Sequence, residues 1–340
     1  MGYVELGGCF LVAFFMQCEI ILFSKRTHCF LDKGTSSKPQ RLHNGDIPRC
    51  GGIAIFLSLL IVLLAMGNSL GLKLLLVSSP AFFIGSYEDF RHDIHPYIRI
   101  GVMVLSVILA IFLMHVLIKN LGYFKMYKLP IFIFFIFTVF CIVGVTNAMN
   151  IIDGLNGLSS GVFILSMISF AVVAYNVQDT ELLKVILILI AIVFGFIVLN
   201  FPKAKIFLGD GGAYFLGFIL AVLSILLVNR NPTISPWFPL TVLIYPIWEV
   251  IFSIYRRRFV KNIGPTSPDK LHLHSLLSKR IIRSNPWATL IIWLSIIAFD
   301  ILAVFFRNKR YELTILCLIF IILYLMVYNT IVNFEVEKYL

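Results

Sequence analysis

Uninterrupted apolar runs of about twenty residues recur from one end of the chain to the other, and nothing else in the sequence limits its fold as strongly. A bilayer admits only elements that satisfy their own backbone hydrogen bonds, which leaves helices and closed barrels. Barrel strands would alternate apolar and polar residues. These runs do not alternate, so they read as helices. They fall at 3–24, 51–66, 70–87, 99–118, 130–146, 161–176, 184–200, 213–228, 238–254, 287–306 and 312–332. The prediction is an all-α, polytopic transmembrane bundle of about eleven spans, forming a single integral-membrane domain over 1–340. Several runs are short enough to need tilt or a locally thinned bilayer. Composition agrees: 60% of residues are hydrophobic and 13% charged, with mean hydropathy +0.96, against about 45–50% and about 25% in soluble domains. A soluble enzyme, a disordered chain and a single-span anchored domain are excluded.

The net charge is +11, from 28 Lys and Arg against 17 Asp and Glu. In a soluble protein this would suggest nucleic acid; among membrane spans, basic residues set topology, and no nucleic-acid partner is expected. With the N-terminus outside, 19 of the 28 basic residues fall in inside segments. The clusters at 119–128 and 307–310 dissent. Residues 3–24 lack a basic leading segment, carry Glu5 and are followed by Lys25 and Arg26, so they read as a first span and not as a cleaved signal. Arg256, Arg257 and Arg258 at a span end read as a topology anchor. The six cysteines form no CxxC pair and read as small buried hydrophobes. No internal repeat is evident.

Acids, amides and histidines collect in five loops, 43–52, 85–99, 146–161, 205–214 and 264–276. In the eleven-span arrangement all five lie on the same, cytoplasmic face. The first, HNGDIPRCGG, ends in Gly51 and Gly52 at a helix start, where backbone amides could meet an anion, or where the chain simply turns into the helix. Glu88 and Asp89 are adjacent carboxylates whose repulsion a divalent metal or a basic partner would relieve, unless they are only a solvated acidic cluster. In NAMNIIDGLNGL, Asn147, Asn150, Asp153 and Asn156 recur every three residues, and a helix over 147–153 places the first three near one face. Asp210 stands among glycines in KIFLGDGG at a span entrance; it could cap the helix or serve a hard divalent cation, which prefers carboxylate oxygen. His272 and His274 lack the spacing of a helical zinc pair and fit hydrogen bonding to an anionic substrate better. Together these groups suit phosphoryl transfer between a soluble donor and a membrane-embedded acceptor.

The five motifs, in this order and over essentially the whole chain, resemble those of the polyprenyl-phosphate N-acetylhexosamine-1-phosphate transferases of glycosyltransferase family 4, and most of all the bacterial undecaprenyl-phosphate N-acetylglucosaminyl-1-phosphate branch. The resemblance implies an enzyme that transfers N-acetylhexosamine-1-phosphate from a UDP-sugar to undecaprenyl phosphate, releasing UMP, as the first membrane step of cell-surface glycan assembly such as lipopolysaccharide or teichoic acid. It implies Mg²⁺ (or Mn²⁺) as cofactor, the bacterial cytoplasmic membrane as location with the site facing the cytoplasm, and a homodimer as the protein partnership to look for. On that basis Asp210 and Asp153 are expected at the metal, with Asp89, Glu88 and Asp153 in the catalytic machinery and Asp89 near the lipid phosphate as base or orienter. Asn147, Asn150, Asn156, Lys270, His272, His274, Arg99, Gly51 and Gly52 are expected to bind substrate. The lipid phosphate has a second pKa near 6 and is mostly dianionic at neutral pH, so a general base adds little.

The chain departs from the family pattern at four places. Glu88 stands where Asp is usual, Asn156 replaces the second Asp of DGxDG, Lys270 replaces Arg, and Ser275 replaces the last His. These departures suggest a divergent member, with a 6-deoxy-N-acetylhexosamine as one alternative sugar. A competing reading is a secondary transporter, whose ionisable groups would lie near the bilayer midplane. Asp300, Glu19 and Glu249, inside apolar runs, are the residues that favour it. A non-catalytic scaffold is a third.

Overall fold

The computed structural model describes residues 2–32, 46–91, 93–123, 130–260 and 271–339. Among these, all eleven apolar runs are helical. The chain begins with α1 (Tyr3–Thr27), then a two-residue antiparallel ladder of β1 (Leu31–Asp32) and β2 (Ile47–Pro48), in which Leu31 faces Pro48. There follow α2 (Gly51–Ala65), α3 (Ser69–Arg91), α4 (Pro96–Met114), α5 (Ile131–Ile152), α6 (Leu158–Asn176), α7 (Thr180–Asn200) and α8 (Gly209–Arg230). Then come α9 (Trp237–Val242), α10 (Ile244–Tyr255), α11 (Leu273–Leu276), α12 (Asn285–Phe305) and α13 (Arg310–Tyr339). Nine of the described helices are long and apolar enough to cross a bilayer, as a multi-pass membrane protein requires.

The other two runs differ from simple spans. The helix α2 has only 15 residues. The run 238–254 is broken at Leu243 into α9 and α10. Pro246 is the physical reason: it lacks an N–H and its ring would clash with the carbonyl of Val242 in a continuous helix. Pro80, inside α3, also interrupts the ladder, and there a neighbour compensates: Ser106 Oγ of α4 accepts the Ala81 N–H at 3.0 Å.

The central helix is α8, buried along nearly its whole length and packed on α2, α3, α5 and α6. Ring contacts lock three of these together, with Phe56 of α2 stacked on Phe82 of α3 at 4.2 Å and Phe215 of α8 edge-on to Phe56 at 5.3 Å. Small residues bring helix starts close. A Cβ on Gly52 would sit 2.4 Å from Gly212 Cα, and one on Gly85 would sit 2.7 Å from the Asp210 carbonyl. The end of α3 is thereby pressed onto the first turn of α8. At the opposite end of the bundle Asp179 caps α7 by accepting the Leu182 N–H at 3.2 Å and pairs with Arg230 at 2.8 Å, tying the start of α7 to the end of α8. All six cysteines are free thiols; Cys9, Cys50 and Cys317 are buried as expected, while Cys18, Cys29 and Cys141 are only half-buried.

Candidate functional site

The close approach of α3 and α8 sets the geometry. Gly209 opens α8 at φ +78°, a conformation glycine adopts without strain, and a Cβ there would stand 2.6 Å from Asp89 Oδ2. The freed first-turn amides of α8 therefore meet the Asp89 carboxylate. Asp210 N–H donates to Oδ1 and Gly211 N–H to Oδ2, each at 2.9 Å. Asp89 is itself buried.

Arg49 closes the cluster. Its Nη2 lies 2.9 Å from Asp210 Oδ1 and 3.3 Å from Asp89 Oδ1. Desolvation opposes its charge, but Asp89 and Asp210 outweigh that and raise its pKa. From α4, Arg99 Nη1 reaches Glu88 Oε1 at 3.6 Å and Asp210 Oδ2 at 4.0 Å. Glu88 also accepts the Ile94 N–H at 2.9 Å, which fixes the α3–α4 connection.

Asp153 follows the last turn of α5, and among the described residues its carboxylate has no hydrogen-bond or ion-pair partner. Its pKa is pushed well up, first by desolvation and then by the charges of Asp210 and Asp89, against the pull of Arg49. Four acids (Glu88, Asp89, Asp153 and Asp210) thus share a site with two arginines. No three of His, Cys, Asp and Glu among the described residues stand together as a self-sufficient metal cage. The donor set fits the other type of divalent site, one or two carboxylates completed by substrate phosphates. An unpartnered, charge-disfavoured Asp153 beside Asp210 is what a cation would relieve.

The remaining predicted residues divide. Asn150 donates to Tyr214 Oη at 3.2 Å, beside Asp210 in α8. Asn147 turns back on its own helix to the Val143 carbonyl, at 2.8 Å. Asn156 Nδ2 donates to the Pro202 carbonyl at 3.1 Å and its N–H to Asn285 Oδ1 at 3.0 Å, so its described contacts clip three connections together. Gly51 and Gly52 require a correction. Their N–H groups donate to the carbonyls of Phe207 and Leu208, both at 2.9 Å, so these amides are spent on protein. The pair acts through close packing and does not offer an anion cradle. Lys270, together with His43 and Asn44 of the first motif, lies outside the described residues.

His272 and His274 stack with ring centroids 5.5 Å apart. His274 covers Gly154, where a Cβ would lie 2.8 Å from its Nε2. Burial, chiefly, lowers the pKa of His274 to about 4, and its Nδ1 has no partner among the described residues. The arginine anchor also needs revising. Arg256 and Arg257 are buried; Arg256 lies 5.6 Å from the Phe252 ring centroid, and Arg257 Nη2 lies 3.4 Å from His272 Nε2. Only Arg258 of the three is exposed.

Sequence reasoning missed Arg49 as the hub of the cluster, although the residue stood within the first motif. It also missed Tyr214, and it read Glu249 as a transporter-like acid when Glu249 binds His272 at 2.9 Å. A lone acid in an apolar run was the available signal. Asp300 is buried away from this centre and accepts from Ser169 Oγ at 3.0 Å. Glu19 is exposed on α1.

Residues 72–228 match the profile of glycosyl transferase family 4, a segment holding Asp89, Asp153 and Asp210. A Bacillus subtilis (strain 168) protein, named a probable undecaprenyl-phosphate N-acetylglucosaminyl 1-phosphate transferase, is 30% identical over 314 residues, 88% of this chain and 84% of the relative. Undecaprenyl-phosphate alpha-N-acetylglucosaminyl 1-phosphate transferases of Thermotoga maritima and Pasteurella multocida are 29% and 34% identical, covering 84% and 74% of this chain and 84% and 73% of their own lengths.

Proposed function

The chain belongs to glycosyl transferase family 4, and from that premise we propose that it transfers N-acetylhexosamine-1-phosphate from a UDP-sugar to undecaprenyl phosphate. The observation that carries this reading is the meeting of four connections, far apart in sequence, at one end of the bundle as a four-acid, two-arginine centre. In the reaction a lipid-phosphate oxygen forms a bond to the sugar-bearing phosphorus of the donor. The bond from that phosphorus to the bridging oxygen breaks, and UMP leaves with the electron pair. The dianionic acceptor has no proton to lose. Asp89, with both oxygens engaged by backbone amides and Arg49 beside it, suits an orienting role better than that of a base.

Asp210 and Asp153 would hold Mg²⁺ or Mn²⁺. When bound, the ion would neutralise the charge that gathers on the transferring phosphoryl group. Arg49 and Arg99 stand ready to pair with phosphate oxygens in a bidentate manner. His274, neutral at physiological pH, offers its unpartnered Nδ1 side for a hydrogen bond to the donor. On this reading the centre faces the cytoplasm, where UDP-sugars are found, and the membrane-spanning helices hold it at the surface of the bilayer that carries the polyprenyl chain.

Purified protein given undecaprenyl phosphate, Mg²⁺ and a panel of UDP-N-acetylhexosamines, 6-deoxy sugars included, tests this. Transfer into the organic phase with one sugar, abolished by EDTA and restored by Mg²⁺ or Mn²⁺, is expected. Folded protein inactive with every donor, or active without a divalent ion, would contradict it.

A further inference from the structure

The histidine arm is rooted in a carboxylate that the transfer reaction leaves without a task. Glu249 lies within the apolar helix α10 and is fully buried. Its Oε1 accepts from His272 Nδ1 at 2.9 Å and from the Leu273 N–H at 3.2 Å, and its Oε2 accepts from the Tyr324 hydroxyl of α13 at 2.8 Å. Across the imidazole, His272 Nε2 lies 3.4 Å from Arg257 Nη2. A carboxylate can only accept and a guanidinium can only donate. An imidazole bridging the two therefore carries its single proton on Nδ1 and turns the Nε2 lone pair to Arg257. The same ring lies nearly parallel to His274, with 12° between their planes, and His274 covers Gly154 beside Asp153. Contacts thus run without a gap from α13 through Glu249, His272 and His274 to the turn that bears Asp153. Packing alone does not require an acid at this depth, since an apolar residue of similar size would fill the space with no charge to desolvate.

We propose that Glu249 is the positioning residue of the histidine arm: it fixes the Nδ1–H tautomer and the ring plane of His272 and, through the ring stack, seats His274 on the Gly154 turn. The catalytic part of this proposal rests on the transferase reading; the tautomer does not. The test is solid-state NMR of ¹⁵N-histidine-labelled full-length protein in bilayers near neutral pH, with His272→Asn to assign the signals. The wild type should show His272 protonated at Nδ1 and bare at Nε2. Glu249→Leu should move the proton to Nε2 or divide it between the nitrogens, and Glu249→Asp should keep it on Nδ1. Glu249→Gln, of unchanged size, guards against misfolding; its amide can also donate, so the Nδ1–H population should fall. In the transfer assay Glu249→Leu should lower kcat by about 10–100-fold, the scale of losing the partner that orients an active-site histidine. The KM for the donor should change less, and Glu249→Asp should retain more activity than Glu249→Leu. His272 protonated at Nε2 in the wild type, or a tautomer indifferent to the loss of the acid in folded protein, overturns the proposal whatever the transfer assay gives. An inactive wild type with the expected tautomer would count against the transferase reading alone.

Discussion

Arg49 is the residue on which the centre's charge balance turns. It neutralises a buried Asp89 and shares Asp210, and without it four acids would share the site with only Arg99. Removing one partner of a buried pair costs about 3–5 kcal/mol. Arg49 is 30% exposed, so solvent screening reduces the expected loss for Arg49→Ala to about 2 kcal/mol. Thermal unfolding in nanodiscs measures it, and an unchanged midpoint would contradict the pairing. His274 gives a pH prediction. Its folded pKa of about 4 lies below its ordinary 6.5, so the unfolded chain binds the proton more readily. Its contribution is therefore complete above pH 6.5 and is lost as pH falls towards 4, by up to about 3 kcal/mol. Protein carrying His274→Gln should lose less stability between pH 7 and 5 than the wild type. At this scale the acids Asp89 and Asp210 were legible, the first as one of two adjacent carboxylates and the second as a carboxylate among glycines, both at span ends. The pairing of Arg49 with acids 40 and 161 positions away was not, since local pattern carries no record of which distant side chain a guanidinium meets. The contacts of Asn156 were hidden for a related reason. Its three-residue spacing pointed to a substrate ligand and carried no sign of the bond from its Nδ2 to the Pro202 carbonyl.

Among the elements, the junction of α3 with α8 decides whether the centre exists at all. Gly209 at φ +78° and Gly85 against the Asp210 carbonyl leave no room for a side chain. In Gly209→Ala the new methyl strains the left-handed backbone and collides with Asp89. Transfer should fall at least about tenfold, the effect of displacing a positioned group by an ångström or less, and full activity in this variant would refute the account of the junction. Apolar run length made the helices readable, and all eleven runs are helical. The division of 238–254 was less so, although Pro246 signalled it, because proline is tolerated in spans whose neighbours satisfy the freed groups. The Gly51–Gly52 pair shows what run length cannot reveal. Glycines at a helix start suit an anion and a tight crossing equally well, and only the carbonyls of Phe207 and Leu208 decide between the two.

For the molecule as a whole, the bundle is a scaffold that gathers five connections at one end while α8 forms its buried axis. The acid that most favoured a transporter, Asp300, is bonded to Ser169 between α6 and α12 and lies outside that gathering. Asp300→Asn should therefore retain transfer within a few-fold of the wild type, whereas Asp210→Asn should lose it by at least about 100-fold, as expected when preorganised charge stabilisation is removed. The most direct measurement uses a UDP-N-acetylhexosamine labelled at the sugar-bearing phosphorus, with undecaprenyl phosphate as acceptor. The label should enter the lipid while UMP appears in water, in the wild type and in Asp300→Asn but not in Asp210→Asn. Release of UDP with no phosphorus label in the lipid, or transfer that survives Asp210→Asn and fails in Asp300→Asn, would contradict the assignment of the centre and its chemistry.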